Sequence, residues 1–175
     1  MFLDGARLAN AVAYLDCSLA ELAECADVLT FGGTKNGAVG AEALIVMGGG
    51  LVADVPYLRK QVTQLTSKMR FVAAQFGALM RDDLWRANAA HANAMARRLA
   101  DGLRDVNGVE IVYPVQANAV FARLAPRHVA ALRQRGTFHV WDERDSVVRW
   151  MTAFDTSAAD VDAFLADIRS TAARQ

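Results

Sequence analysis

Two short apolar runs, each closed by a glycine turn, set the frame for this chain. Met1–Leu3 runs into Asp4-Gly5, and Val28–Phe31 runs into Gly32-Gly33-Thr34-Lys35-Asn36-Gly37. An apolar run bounded by turn residues predicts a strand buried on both faces. Between the runs, Leu8, Ala11, Val12 and Leu15 share one helical face. Ser18-Leu19-Ala20-Glu21 has the Ser-x-x-Glu form of a capping box and predicts a second short helix. Ala43–Met47 is a third apolar run, ended by Gly48-Gly49-Gly50. Strand, helix, strand, loop, strand predicts the edge of an α/β layer built on a parallel sheet. A parallel sheet of two or three strands, covered on both faces, is not self-sufficient. The reading therefore expects an N-terminal half that is absent here, or strands supplied by a partner.

The middle of the chain predicts helices. Leu58, Val62, Leu65, Met69, Val72, Phe76 and Leu79 recur at steps of four and three, a sustained stripe suited to core packing or to a helix partner. Asp54 is placed to cap its start, and Pro56 suits its first turn. A second helix is expected from Asp83 to Leu103, with Gly102 and Gly108 marking its end and the turn beyond. Short strands follow at Val109–Val112, Ala119–Leu124, Thr137–Trp141 and Ser146–Thr152, with a helix at Pro126–Arg135 among them and a last helix at Ala158–Ala173. The expected organisation is residues 1–50 as part of an α/β domain, 51–104 as connecting helices, and 105–175 as a small α+β domain.

Charge excludes several functions. Lys and Arg number 19 and so do Asp and Glu, so there is no basic footprint for nucleic acid or an anionic membrane surface. The longest apolar stretches are broken by charge or glycine, and Asp4 and Arg7 interrupt the first one, so neither a membrane span nor a signal peptide is read. Cys17 and Cys25 do not make a disulfide framework; they read as small hydrophobes on short helical pieces in a reducing cytoplasm.

Of the 19 basic residues only Lys35, Lys60 and Lys68 are lysines. Arginine stays protonated near neutral pH, whereas lysine can serve as an amine nucleophile once its pKa falls. Codon bias would leave a few lysines too, so composition does not decide. Asp4 and Lys35 each lie at the end of an apolar strand, where open α/β sheets place ligand sites. Glycines in the Lys35 turn would let backbone amides approach a phosphate, and Thr34 adds a hydroxyl. A pyridoxal phosphate (PLP) enzyme needs a lysine amine for the cofactor aldehyde and a carboxylate for the pyridine nitrogen. Asp4 and Lys35 suit those tasks, although a lone Asp and Lys at strand ends are more often structural. His91, beside Met95, reads as packed or interfacial. His128 and His139 have no ligand-like spacing with Cys17 or Cys25, so no metal site is expected.

Longer motifs carry a resemblance. Phe2-Leu3-Asp4-Gly5-Ala6-Arg7-Leu8-Ala9-Asn10-Ala11 and Phe31-Gly32-Gly33-Thr34-Lys35-Asn36-Gly37-Ala38 resemble two segments of the low-specificity L-threonine aldolases. Ser67-Lys68-Met69-Arg70-Phe71, His91-Ala92-Asn93, and Arg149-Trp150-Met151 with Phe154-Asp155-Thr156 extend the likeness over essentially the whole chain. The resemblance implies the end of a PLP fold-type I large domain (a three-layer α/β/α arrangement) followed by an α+β small domain. It implies PLP-dependent cleavage of L-threonine or L-allo-threonine to glycine and acetaldehyde, within a complete enzyme. Lys35 would carry the cofactor and Asp4 would face its pyridine nitrogen. Thr34 and Arg70 would join Arg7 in binding it, and Arg7 with Arg149 would take the substrate carboxylate. A salt bridge from Arg149 to Asp142, Glu143 or Asp145 is the competing expectation. The resemblance also implies a homo-oligomer, a tetramer in the family. The segment before Asp4 departs from the pattern, with Phe2 where relatives carry a histidine. Two further readings stand beside it: another PLP-dependent β-eliminating lyase, and a non-catalytic remnant that uses the helical stripe for oligomerisation.

Overall fold

The computed structural model describes residues 1–50 and 52–173. The chain divides into two compact units, Met1–Ala89 and Ala90–Gln175. Among the described residues no helix is long and apolar enough to cross a membrane.

The first unit holds a three-stranded sheet in the order β1 (Phe2–Leu3), β2 (Val28–Gly32), β3 (Glu42–Val46). β1 and β2 are parallel, as expected for two strands joined through helices α1 (Leu8–Leu15) and α2 (Leu19–Ala23). β3, in contrast to the sequence expectation of a parallel sheet, runs antiparallel to β2, with Val28 opposite Val46 and Gly32 opposite Glu42. The physical reason is length. Residues 33–41 are too few for a parallel crossover, which takes a dozen or more, but ample for an antiparallel return. The Ser18 capping box is present: its hydroxyl accepts from the Glu21 amide, and the Glu21 carboxylate accepts from the Ser18 amide. Leu8, Val12, Leu29, Phe31 and Trp85 form the core on one side of the sheet. There Phe31 meets Phe76 and Trp85 in tilted and edge-on contacts. Burial is one-sided, however. Phe2 and Leu44, at 62% exposure, remain open on the two outer strands. Cys17 and Cys25 fall just past the ends of α1 and α2, unpaired, and Cys25 is exposed rather than packed.

The long stripe does not form one helix. It breaks into α3 (Val55–Thr63) and α4 (Arg70–Met80). Gln64, Leu65 and Lys68 take positive φ between them, which no continuing α-helix of L-residues tolerates. Pro56 does stand in the first turn of α3, but Asp54 makes no side-chain cap there. Only Leu79 of the stripe is buried; Leu58, Leu65 and Val62, the last 78% exposed, face solvent.

Helix α5 (Leu84–Leu103) starts in the first unit and continues into the second. The second unit is a four-stranded antiparallel sheet in the order β4 (Val109–Ile111), β5 (Ala119–Leu124), β7 (Val147–Met151), β6 (His139–Asp142). β5 alternates buried and half-buried residues, as period-2 patterning requires. Its inward face packs Val120, Ala122 and Leu124 with Val148 and Trp150 of β7, Leu99 and Leu103 of α5, Val129 and Leu132 of helix α6 (Pro126–Arg133), and Leu165 and Ile168 of helix α7 (Ala158–Ala172). Gly102 on α5 lies directly under Leu165: a Cβ there would meet its Cδ1 at 2.4 Å, so the leucine side chain would have to shift.

A second capping box starts α7. The Ser157 hydroxyl accepts from the Asp160 amide at 3.1 Å, and the Asp160 carboxylate accepts from the Ser157 amide at 2.8 Å. Those hydrogen bonds from Ser157 hold the Asp160 carboxyl below its ordinary value. Because the folded pKa is depressed, the associated stability is present above the ordinary carboxylate range and is lost as pH falls through the depressed value. Ser157→Ala removes both cap hydrogen bonds made by the hydroxyl and is expected to lower the urea midpoint at neutral pH. The gap to wild type should narrow in acid when both are unfolded in urea across a pH series.

Candidate functional site

The parallel pairing of β1 with β2 brings two turns to the same end of the sheet, the end at which both strands finish. The first is Asp4-Gly5-Ala6-Arg7 and the second Gly32-Gly33-Thr34-Lys35. They are in backbone contact. The Gly5 amide donates to the Thr30 hydroxyl at 2.8 Å, and the Gly32 amide donates to the Gly5 carbonyl at 3.2 Å. A Cβ on Gly5 would sit 1.8 Å from the Thr30 carbonyl oxygen, and one on Gly32 would sit 2.6 Å from that of Ala6. The glycines are there because the two backbones touch.

This changes the meaning of the glycine turn. The Gly33 and Thr34 amides both donate to the Ala41 carbonyl, and the Thr34 amide also meets the Glu42 carboxylate at 3.3 Å. With Gly32 bonded to Gly5, these amides are satisfied within the chain, and the expected use of the glycines as a phosphate cradle gives way to strand packing.

The side chains differ in their restraint. Asp4 is exposed, with Oδ1 accepting from the Ala6 amide at 3.1 Å and facing the Thr30 hydroxyl at 3.5 Å. Lys35 is exposed on a single 3₁₀ turn, Thr34–Asn36. Among the described residues neither Asp4 nor Lys35 is in an ion pair. A carboxylate and an amine thus stand on touching loops, each uncommitted to a counter-charge. Thr34 is exposed beside Lys35, and Arg7, half-buried, immediately precedes α1. Arg70 lies at the exposed start of α4, its guanidinium 5.0 Å from the Phe71 ring.

Arg149 belongs to β7 of the second unit. It makes no salt bridge with Asp142, Glu143 or Asp145, which removes the competing sequence expectation. Its guanidinium lies 5.4 Å from the Trp141 ring, and Phe121 and His139 are its cross-strand neighbours. Its Nε is buried without a hydrogen-bond partner. Stacking leaves the terminal fork as the group able to meet a carboxylate in bidentate fashion. His91 is tied to the Thr156 carbonyl at 2.7 Å through Nε2.

Sequence reading missed two residues. Asn36, only 3% exposed, donates through Nδ2 to the Trp85 carbonyl at 2.8 Å, and Asn88 donates to the Asn36 carbonyl at 2.8 Å. The first turns of α5 therefore clamp the residue next to Lys35. The partners lie 49 and 52 positions away, so no local pattern announces them.

Comparison with known proteins follows the same residues. A family model described as beta-eliminating lyase matches residues 1–126. The chain is 44% identical over 171 residues to the low-specificity L-threonine aldolase of Pseudomonas aeruginosa, covering 97% of this chain and 49% of that protein. It is 42% identical to the enzyme of the same name from a Pseudomonas species, with 97% and 50% covered. Among solved structures, Leishmania major threonine aldolase superposes with a TM-score of 0.88 at 30% identity, over 98% of this chain and 51% of that one. The chain spans about half the length of the curated relatives it matches.

Proposed function

The chain belongs to the beta-eliminating lyase family and has the α/β fold of its fold-type I threonine aldolases, and on that premise we propose that it is the lysine-bearing half of a PLP-dependent L-threonine aldolase. The observation that carries the reading is the contact between the Asp4 and Lys35 turns at one end of a parallel strand pair. The donor set fits the cofactor. An amine and a carboxylate, both exposed and neither in an ion pair among the described residues, stand on loops that backbone contacts fix against each other.

Lys35 would hold the cofactor aldehyde covalently through Nζ. Asp4 would keep a proton on the pyridine nitrogen, and its own orientation is set by the Ala6 amide and the Thr30 hydroxyl. When bound, PLP supplies an electron sink for the pair released as the Cα–Cβ bond of a β-hydroxy-α-amino acid breaks. Arg7 and Arg149 would grip the substrate carboxylate, Arg149 already held against Trp141. Thr34 and Arg70 would serve the cofactor phosphate. L-threonine or L-allo-threonine would yield glycine and acetaldehyde. Two unpaired cysteines suit a reducing cytoplasm. The half-length match means that turnover at ordinary enzyme rates calls for the polypeptide that corresponds to the rest of the relatives.

Three lysines make the test direct. The full chain is incubated with PLP, reduced with borohydride and mapped by mass spectrometry. The expected result is a pyridoxyl adduct concentrated on Lys35 and lost in Lys35→Ala. An adduct spread evenly over Lys35, Lys60 and Lys68 would overturn the reading. Acetaldehyde release from L-threonine then separates an aldolase from another β-eliminating lyase. The exposed apolar residues of α3 and α4, Tyr57, Leu58, Val62 and Phe71 among them, favour a second reading alongside the first, a homo-oligomer assembled on these helices.

A further inference from the structure

The outward face of the second unit's sheet carries a row of aromatic rings around Arg149. Tyr113 meets Phe121 edge-on with ring centroids 5.4 Å apart, Phe121 meets Trp141 edge-on at 5.1 Å, and His139 meets Trp141 edge-on at 6.4 Å. Phe121 and His139 stand opposite Arg149 on the strands that flank β7. Tyr113 and Trp141 remain exposed, so the row is not part of the core.

The register of β6 sets the place of Trp141. His139 faces Arg149 and Val140 faces Val148, yet Asp142 faces Val147. β6 therefore holds one residue more than β7 over this stretch, and Trp141 is the extra one. A bulge of this kind re-aims a side chain. The Trp141 ring centre lies 5.4 Å from the Arg149 guanidinium carbon, within the range of a cation–π contact. The neighbouring acid is committed elsewhere: Asp142 Oδ1 accepts from the Arg144 and Asp145 amides at 2.8 and 3.2 Å.

Arg149 is half-buried and in no ion pair among the described residues, and its Nε is buried without a hydrogen-bond partner. The contact that restrains the guanidinium is thus the tryptophan ring. A stacked ring covers the flat face of the guanidinium and leaves the N–H edge for a planar acceptor. We infer that Trp141 is a positioning residue, which holds the Arg149 guanidinium ready for a substrate carboxylate. The inference rests on the assignment of that carboxylate to Arg149. An unrestrained arginine stem surrenders its rotamer freedom when the ligand arrives, whereas the stack restricts it beforehand. Phe121 and His139 support the ring by edge-on contact, a favoured geometry for aromatic pairs.

The test uses the full chain labelled with nitrogen-15 arginine. The Arg149 side-chain signal is identified by its absence in Arg149→Lys. It is then followed in wild type, Trp141→Phe and Trp141→Leu during titration with L-threonine, with L-threoninol, which lacks the carboxylate, as the control. The expected wild-type result is an Nε–H signal displaced by the ring and a saturable response to L-threonine alone. Trp141→Leu should lose the displacement and raise the L-threonine midpoint about two- to fivefold, and Trp141→Phe, which restores a ring, should recover most of both. The amides of Val148 and Trp150, buried on either side of Arg149, report that the sheet is intact in each variant. Three results would each overturn the inference: a midpoint unchanged in Trp141→Leu, an equal loss in Trp141→Phe, or a wild-type Arg149 signal indifferent to L-threonine. Pyridoxyl labelling separates the two ideas. Retained Lys35 selectivity with any of those three results removes the role of Trp141 alone, whereas an adduct spread over the three lysines removes the cofactor reading alone.

Discussion

Gly5→Ala should unfold the first unit. The added methyl would lie 1.8 Å from the Thr30 carbonyl oxygen and 3.2 Å from the Leu8 Cβ. The obstacle is backbone on the paired strand, so no side-chain rotation relieves it. Relief requires β1 and β2 to separate, which breaks the bonds from the Gly5 amide to Thr30 and from the Gly32 amide to Gly5. The expected loss exceeds about 4 kcal/mol, the range reserved for strain that cannot relax. Urea unfolding followed by circular dichroism measures it. Gly77→Ala is the internal control. Gly77 sits in α4 with open space around its Cβ position, so alanine there should raise stability by roughly 0.5–1 kcal/mol. A Gly5→Ala protein as stable as wild type would mean that the two turns do not touch.

The second large effect is expected at Asn36. Asn36→Ala removes the donor to the Trp85 carbonyl and strands that acceptor in a buried place. The cost is about 1–3 kcal/mol. Asn36→Asp should be worse than the alanine variant at neutral pH, since it sets a carboxylate oxygen against the same carbonyl. The asparagine Oδ1 is already buried without a partner, so its removal partly offsets the loss in Asn36→Ala and in neither case helps the aspartate. Measured at a temperature where both variants remain folded, the pyridoxyl adduct should redistribute from Lys35 towards Lys60 and Lys68. Unchanged selectivity for Lys35 would show that the α5 clamp stabilises the unit without positioning the lysine.

How far the sequence reached depended on the range of the interactions. The capping boxes at Ser18 and Ser157 span three residues, and the first was read directly from its spacing. The strands of the second unit were read to within a residue or two from their alternation, Ala119–Leu124 without error. Periodicity misled over Leu58–Leu79. A regular apolar spacing survives a break in the helix, and the positive φ of Gln64, Leu65 and Lys68 is not written in their residue types. The direction of β3 was misjudged although the loop length contained the answer. In the candidate site, the turns that carry Asp4, Thr34 and Lys35 were legible as turns because strand ends and turn residues are local signals, whereas Arg7 rests on the family resemblance. Asn36 and Asn88 were not, because their bonds join the turn to a helix some fifty positions away. The loss of the Arg149 salt-bridge expectation came from Trp141, whose aromatic face competes with carboxylates for the guanidinium.

The internally satisfied amides of the Lys35 turn have a thermodynamic consequence. Gly32, Gly33 and Thr34 donate to Gly5 and Ala41, and Asn36 is fastened on both its side chain and its carbonyl. A turn so fixed has little conformational freedom left to surrender when something occupies its neighbourhood. What is left to order is the exposed side chains, chiefly the four-carbon stem of Lys35 with about 2 kcal/mol of rotamer entropy. A ligand held on this pre-organised base meets a reduced entropic penalty.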